Sequence, residues 1–167
     1  EFSGGMRQRA VIAMAMACQP DVIIADEPTT ALDVIVQDRI LRGLKDIQRE
    51  SAAGILYITH DMAVAAAVSD HIGVMYAGKL VEMGPTPKVF ARAIPPYAAS
   101  LMSASPSIKG EKRELAALPG EPPNLISPPT GCRFHPRCAL ATPICGQEEP
   151  PIVKRDGHWA ACWNPLS

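Results

Sequence analysis

Val22-Ile23-Ile24-Ala25-Asp26-Glu27-Pro28 is a short apolar run that ends in two carboxylates and a proline. A continuous run of this kind is expected of a strand buried on both faces of a parallel sheet. The C-terminal end of such a strand is where α/β sheets place their ligands. There Asp26 suits a magnesium ion, directly or through water, and Glu27 suits polarising an attacking water. Adjacent carboxylates repel, so a cation between them lowers their cost. The same pair is also an ordinary way for a strand to exit a sheet.

Outward from this strand, the first half of the chain alternates helix and strand. Upstream, Ser3 is a good N-cap, and Gly4 to Cys18 is rich in the Ala, Met, Gln and Arg that favour helix. Downstream, Thr29-Thr30-Ala31-Leu32-Asp33 leads into Val36, Ile40, Leu44 and Ile47, which recur at helical spacing. Ile55 to Thr59 reads as a second buried strand, ending at His60 and Asp61, and 61–69 suits a short helix. Ile72 to Tyr76 and Leu80 to Met83 read as strands joined by a turn at Ala77-Gly78-Lys79. Strands alternating with helices imply an α/β fold with a parallel sheet.

Three further groups suit phosphate chemistry. Ser3-Gly4-Gly5 opens a helix, where bare backbone N–H groups and the helix dipole favour an anion; a capped helix after a flexible turn has the same sequence. His60 at a strand end suits a hydrogen bond to a terminal phosphate, although a lone histidine is also commonly structural. Asp33 suits a helix cap or a contact across a subunit interface.

The 167 residues carry a net charge of −1 and are 47% hydrophobic, which fits about one ordinary domain and argues against an extended nucleic-acid surface. No apolar run is long enough to span a bilayer, and the start lacks the basic-then-apolar pattern of a secretory signal. The chain opens on Glu1 and a motif begins at Phe2, so the sequence is expected to be a piece of a longer protein. Only Pro20 and Pro28 precede Pro85, and every other proline lies at or beyond it. Proline resists helix and central strand. The expected boundary therefore falls at Gly84-Pro85, giving segments 1–84 and 85–167. The second begins with helical pieces at 86–92 and 96–103, followed by an extended linker over 105–130.

Order and spacing tie these groups together. Phe2 to Met6 resembles the signature motif of ABC-type ATPases, Val22 to Glu27 the Walker B strand, Ala31 to Asp33 the D-loop, and His60 the switch histidine. The resemblance implies that segment 1–84 is the C-terminal half of a P-loop NTPase (ABC ATPase) domain. It implies that two subunits sandwich ATP head to tail, with Glu27 as catalytic base, His60 on the γ-phosphate and Asp26 on magnesium. Ser3, Gly4 and Gly5 would clamp the partner's ATP, with Asp33 in the D-loop beside them. No Gly-x-x-x-x-Gly-Lys-Ser/Thr loop occurs in the sequence, so this chain alone is expected not to hydrolyse ATP.

Cys132, Cys138, Cys145 and Cys162 are spaced C-x5-C-x6-C-x16-C. Four thiolates in a small proline-rich segment suit zinc or an iron–sulfur cluster, and spacing leaves both open. Cys18, in an Ala/Met-rich helix, is expected to be a buried apolar residue. Pro96 to Leu101 and Cys132 to Cys138 resemble the C-terminal extension of oligopeptide/dipeptide importer ATPases. That resemblance implies a Pro/Cys-rich metal-binding extension whose four cysteines ligate a [4Fe-4S] cluster. It also implies a peripheral subunit on the cytoplasmic face of the bacterial inner membrane. Its partners would be a second ATPase subunit, two transmembrane permeases and, indirectly, an extracytoplasmic solute-binding protein, with no nucleic acid. Two other readings compete: a soluble ABC ATPase acting on DNA or ribosomes, and a stand-alone iron–sulfur or zinc module.

Overall fold

Ser3 has extended backbone and its hydroxyl accepts a hydrogen bond from Met6 N–H at 3.3 Å, which starts helix α1 at Gly4–Met16. Strand β1, Val22–Asp26, follows and pairs in parallel with β2, Gly54–Ile58, in the register Asp26 to Ile58. Between them lies α2, Val34–Ser51, and after them α3, Met62–Val68. The computed structural model describes residues 2–103 and 118–166. The chain divides into two compact units, Glu1–Val68 and Ser69–Ser167.

In the first unit, the periodic face of α2 buries Ile40 and Leu44, as its spacing predicts, and adds Leu41. Leu41 packs with Val64 and Val68 of α3, and Tyr57 of β2 packs against them. The strands depart from expectation. Ile23 and Ala25 of β1 are buried, but Val22 and Ile24 are 63% and 66% exposed, so burial alternates instead of covering both faces. Cys18 also departs: it is exposed, because α1 stops at Met16 and leaves Cys18 in the turn beyond it.

The second unit is built on an antiparallel sheet in the order β3-β4-β6-β5. Strands β3, His71–Tyr76, and β4, Lys79–Pro85, form a hairpin. Its two-residue turn, Ala77-Gly78, has φ of 48° and 80°, the left-handed geometry that matches strand twist. Helices α4, Thr86–Ala91, and α5, Pro96–Ser103, follow much as expected. The expected linker lies outside the described residues over 105–117, and 118–130 contains no helix or strand. The cysteine segment carries a 3-10 turn at His135–Arg137, a short α6 at Pro143–Gln147, and a hairpin of β5, Ile152–Arg155, and β6, His158–Ala161. Strand β6 then pairs with β4 through Glu82–Ala160 and Met83–Trp159. By compactness the chain divides at 68/69, because β3 and β4 hydrogen-bond into the sheet that the C-terminal segment completes.

Three strapping features hold this unit. Tyr76, Tyr97 and Phe134 form an aromatic trio with centroids 4.6 to 5.2 Å apart. Arg137 donates to Pro119 C=O at 2.7 Å. Fully buried Glu82 uses Oε1 to accept from Ile94 N–H at 2.6 Å and to meet His158 Nε2 at 2.7 Å, tying β4, β6 and the α4–α5 connection together.

Candidate functional site

Because β1 and β2 are parallel and in register, the residues that leave their C-terminal ends emerge side by side. Glu27 N–H donates to Ile58 C=O at 2.9 Å, extending the pairing one residue past β1. This holds Glu27 at φ 46°, a left-handed conformation that non-glycine residues rarely adopt and that clusters at functional sites. Its carboxylate is gripped at both oxygens. His60 Nδ1 lies 2.7 Å from Oε1, and Thr30 Oγ1 donates to Oε2 at 2.7 Å. Thr30 reaches it because residues 27–30 form a turn, in which Thr30 N–H also donates to Glu27 C=O at 3.2 Å. The hydrogen bonds from Thr30 and then His60 hold Glu27 below the usual carboxylate range, and the Glu27 carboxylate in turn raises His60 above the usual imidazole value. Both shifts favour a carboxylate beside an imidazolium.

The other residues that sequence singled out for phosphate chemistry lie in the same unit. Asp26 ends β1 with an exposed side chain. Asp33 caps α2: its Oδ1 accepts from Ile35 N–H at 3.1 Å and Val36 N–H at 2.9 Å. Asp61 likewise caps α3 through Ala63 and Val64 N–H. Ser3 and Gly4 are exposed and Gly5 half-buried at the start of α1, and a helix start of this kind suits an anion. Sequence reading put Glu27 and His60 each at the end of a strand; the structure brings them together and adds Thr30, to which sequence reading assigned no role. The signal was available, since a residue three after a carboxylate, across a proline-containing turn, is placed to cap it.

Two family models match. The model for the ABC transporter family covers residues 1–30, and the model for the oligopeptide/dipeptide transporter C-terminal region covers residues 81–145. The oligopeptide transport ATP-binding protein OppD of Salmonella typhimurium is 46% identical over 99% of this chain and 50% of its own length. Along nearly its whole length this chain is similar to ABC ATP-binding proteins of the oligopeptide/dipeptide type. Another such protein, DppD of Bacillus subtilis, a dipeptide transport ATP-binding protein, is 46% identical over 98% of this chain and 49% of its own length. The chain thus spans about half the length of the curated ABC proteins it matches. Among solved structures, the ATP-binding cassette MJ0796, a dimer in a post-hydrolysis state bound to ADP and Pi, is 34% identical. It matches 51% of this chain and 36% of its own at a TM-score of 0.46.

Cys132, Cys138, Cys145 and Cys162 are all free thiols, the first three of them inside the matched region 81–145. Cys132 N–H donates to Cys145 C=O at 2.8 Å. Burial pushes the Cys132 thiol up and the Cys162 thiol up to about 11; Cys132 also feels Cys145 and Cys138, and Cys162 feels all three of the others. The four are therefore within electrostatic reach of one another, and the donor set is chemically suited to a soft metal. The geometry goes less far. Among the described residues, no group of three or more His, Cys, Asp or Glu side chains is arranged to hold a metal ion. Cys145 Sγ instead lies 3.5 Å from Thr142 N and 3.5 Å from Asn164 Nδ2. The metal-binding part of the expected architecture is thus not carried by the arrangement of these side chains.

Proposed function

We propose that these residues form the hydrolytic half of an ABC ATPase subunit that powers import of peptides or related small solutes. The observation that carries this reading is the Glu27 carboxylate held by Thr30 and His60 at the end of two parallel strands. A carboxylate kept ionised at neutral pH is fit to polarise a water. With its Nδ1 engaged by Glu27, His60 has its other ring nitrogen to offer a γ-phosphate. Asp26, exposed beside Glu27, is the residue to hold magnesium, which would neutralise phosphate charge. The Ser3–Gly5 helix start would clamp the nucleotide of a second subunit, next to Asp33 in the D-loop. The partners in this reading are that second subunit, two transmembrane permeases and, through them, a solute-binding protein. The place of work is the cytoplasmic face of the inner membrane. No described helix is long and apolar enough to cross a membrane. The named roles of the relatives in peptide transport favour this reading over a soluble ABC ATPase working on DNA or ribosomes.

The test is a chimera. Residues 1–167 joined to the N-terminal half of the Salmonella OppD should hydrolyse ATP and restore peptide uptake to a strain lacking that protein. A folded chimera without ATP turnover would refute the reading; turnover without uptake would favour a soluble ATPase. In the same chimera, Ser3→Arg should leave nucleotide binding intact and abolish ATP-dependent dimers in light scattering. The bulky cation would fill the space of the partner's phosphate at the helix start. Normal dimers in that variant would show that Ser3 is only a cap.

The four-cysteine centre is the second element of the proposal. It is supported by the mutual reach of four free thiols in a segment with short elements and many prolines. A metal–thiolate centre would supply a staple worth about 10–16 kcal/mol in zinc-finger peptides. The family resemblance favours [4Fe-4S] over zinc. Replacing any one of Cys132, Cys138, Cys145 and Cys162 with Ser should lower the metal content of anaerobically purified protein and make 131–166 protease-sensitive, whereas Cys18→Ser should do neither. A brown protein supports the cluster, a colourless one with zinc the alternative, and metal-free protein with a protease-resistant tail neither.

A further inference from the structure

Helix α1 has no buried side chain of its own, so its position against the rest of the unit is not set by the usual apolar stripe. Its start is instead in close contact with the segment that follows β1. A Cβ built on Gly4 would stand 3.2 Å from Leu32 Cδ2, and one built on Gly5 would stand 2.6 Å from Val36 Cγ1. The second distance is shorter than real Cβ contacts tolerate. Val36 cannot easily yield. Its side chain is β-branched, with one strongly preferred rotamer in a helix. Its backbone N–H is held by Asp33 Oδ1 at 2.9 Å.

We propose that Leu32 and Val36 are positioning residues for the Ser3–Gly5 helix start. Their side chains occupy the space that side chains at 4 and 5 would need, and so seat the start of α1 on the Asp33-capped start of α2. The two glycines then have a duty besides letting an anion reach the backbone: they are the sockets of this seat. The consequence is mechanical. Ser3 and Asp33, which the proposed function assigns to the nucleotide interface, move as one body. That consequence rests on the proposed function, but the seat itself does not, and its test needs no nucleotide.

The experiment is a double-mutant cycle in the 167-residue chain, read by thermal melting and by amide resonances. Ala normally replaces Gly in a helix with a gain in stability. Here Gly5→Ala alone should lower Tm. It should also shift the amide resonance of Ile35, whose N–H donates to Asp33 Oδ1. In the Val36→Ala background the sign should reverse: adding Gly5→Ala should raise Tm and leave the Ile35 amide in place. A rise in Tm for Gly5→Ala with Val36 present, or an equal fall in both backgrounds, would overturn the proposal. Should Gly5→Ala fail to fold, the milder cycle of Gly4→Ala with Leu32→Ala gives the same reversal, on a contact that starts at 3.2 Å. A loss there that Leu32→Ala does not relieve counts against the seat.

Discussion

In the OppD chimera, Glu27→Gln should cut ATP turnover by about 10²–10⁴-fold, the range that a positioned general base contributes, while leaving ATP binding near the parent value. The reason is local. Gln keeps the length of the side chain and an oxygen for one of the two donors that meet Glu27, Thr30 and His60. It loses the negative charge that those donors stabilise. The defect should therefore appear in the rate and not in affinity, and the stalled enzyme should accumulate as ATP-bound dimers. Single-turnover kinetics with a binding isotherm separate the two quantities. A variant that turns over at the parent rate would remove Glu27 from the reaction.

The other large effect concerns stability. Glu82→Ala should cost the C-terminal unit several kcal/mol. It strips the acceptor from two buried donors, Ile94 N–H and the His158 ring, and each orphaned donor costs about 1–3 kcal/mol. Glu82→Gln keeps that acceptor and should be far milder. The pair also sets a pH dependence. Burial raises the Glu82 carboxyl above its ordinary value of 4.5, against the pull of Ile94 N–H and His158. A group bound more tightly to its proton when folded contributes its full stability below the unfolded value. That contribution is lost as pH rises through the folded one. The stability of Glu82→Gln relative to the parent should therefore improve as pH climbs from below 4.5 toward neutrality. Denaturant titrations of both proteins across that range measure the difference, and a Gln variant whose stability relative to the parent stays flat or falls would mean that burial does not raise the Glu82 carboxyl.

The first unit was largely legible because its signals are local. The Ser3 cap, the 36-40-44 periodicity and the apolar strands each fall within a few residues of the structure they produce. The sequence placed Glu27 and His60 each at a strand exit without pairing them, and the parallel register of β1 and β2 is what carries both exits to one end. What failed depended on partners distant in the chain. The apolar content of Val22-Ile23-Ile24-Ala25 could not say that only Ile23 and Ala25 would be covered. Nothing near Glu82 announces His158, 76 residues away. The β5–β6 hairpin was different, for it carried a readable sign. Asp156-Gly157 is an Asp-Gly pair, and its φ of 49° and 75° make the two-residue turn that such pairs favour. The surrounding prolines drew the reading toward loop.

The pairing of β6 with β4 changes what it means to shorten this protein. Strand β4 has β3 on one side, and its other side is met by β6 along Glu82 and Met83. Trimming the cysteine segment back to the end of α5 would not remove an appendage. It would bare a row of backbone donors and acceptors on β4, next to a carboxyl that had been sealed from water. A naked strand border of that kind recruits the nearest compatible chain. Versions of the chain that stop early would thus carry a border that sticks to itself, and the safer place to cut is ahead of β3.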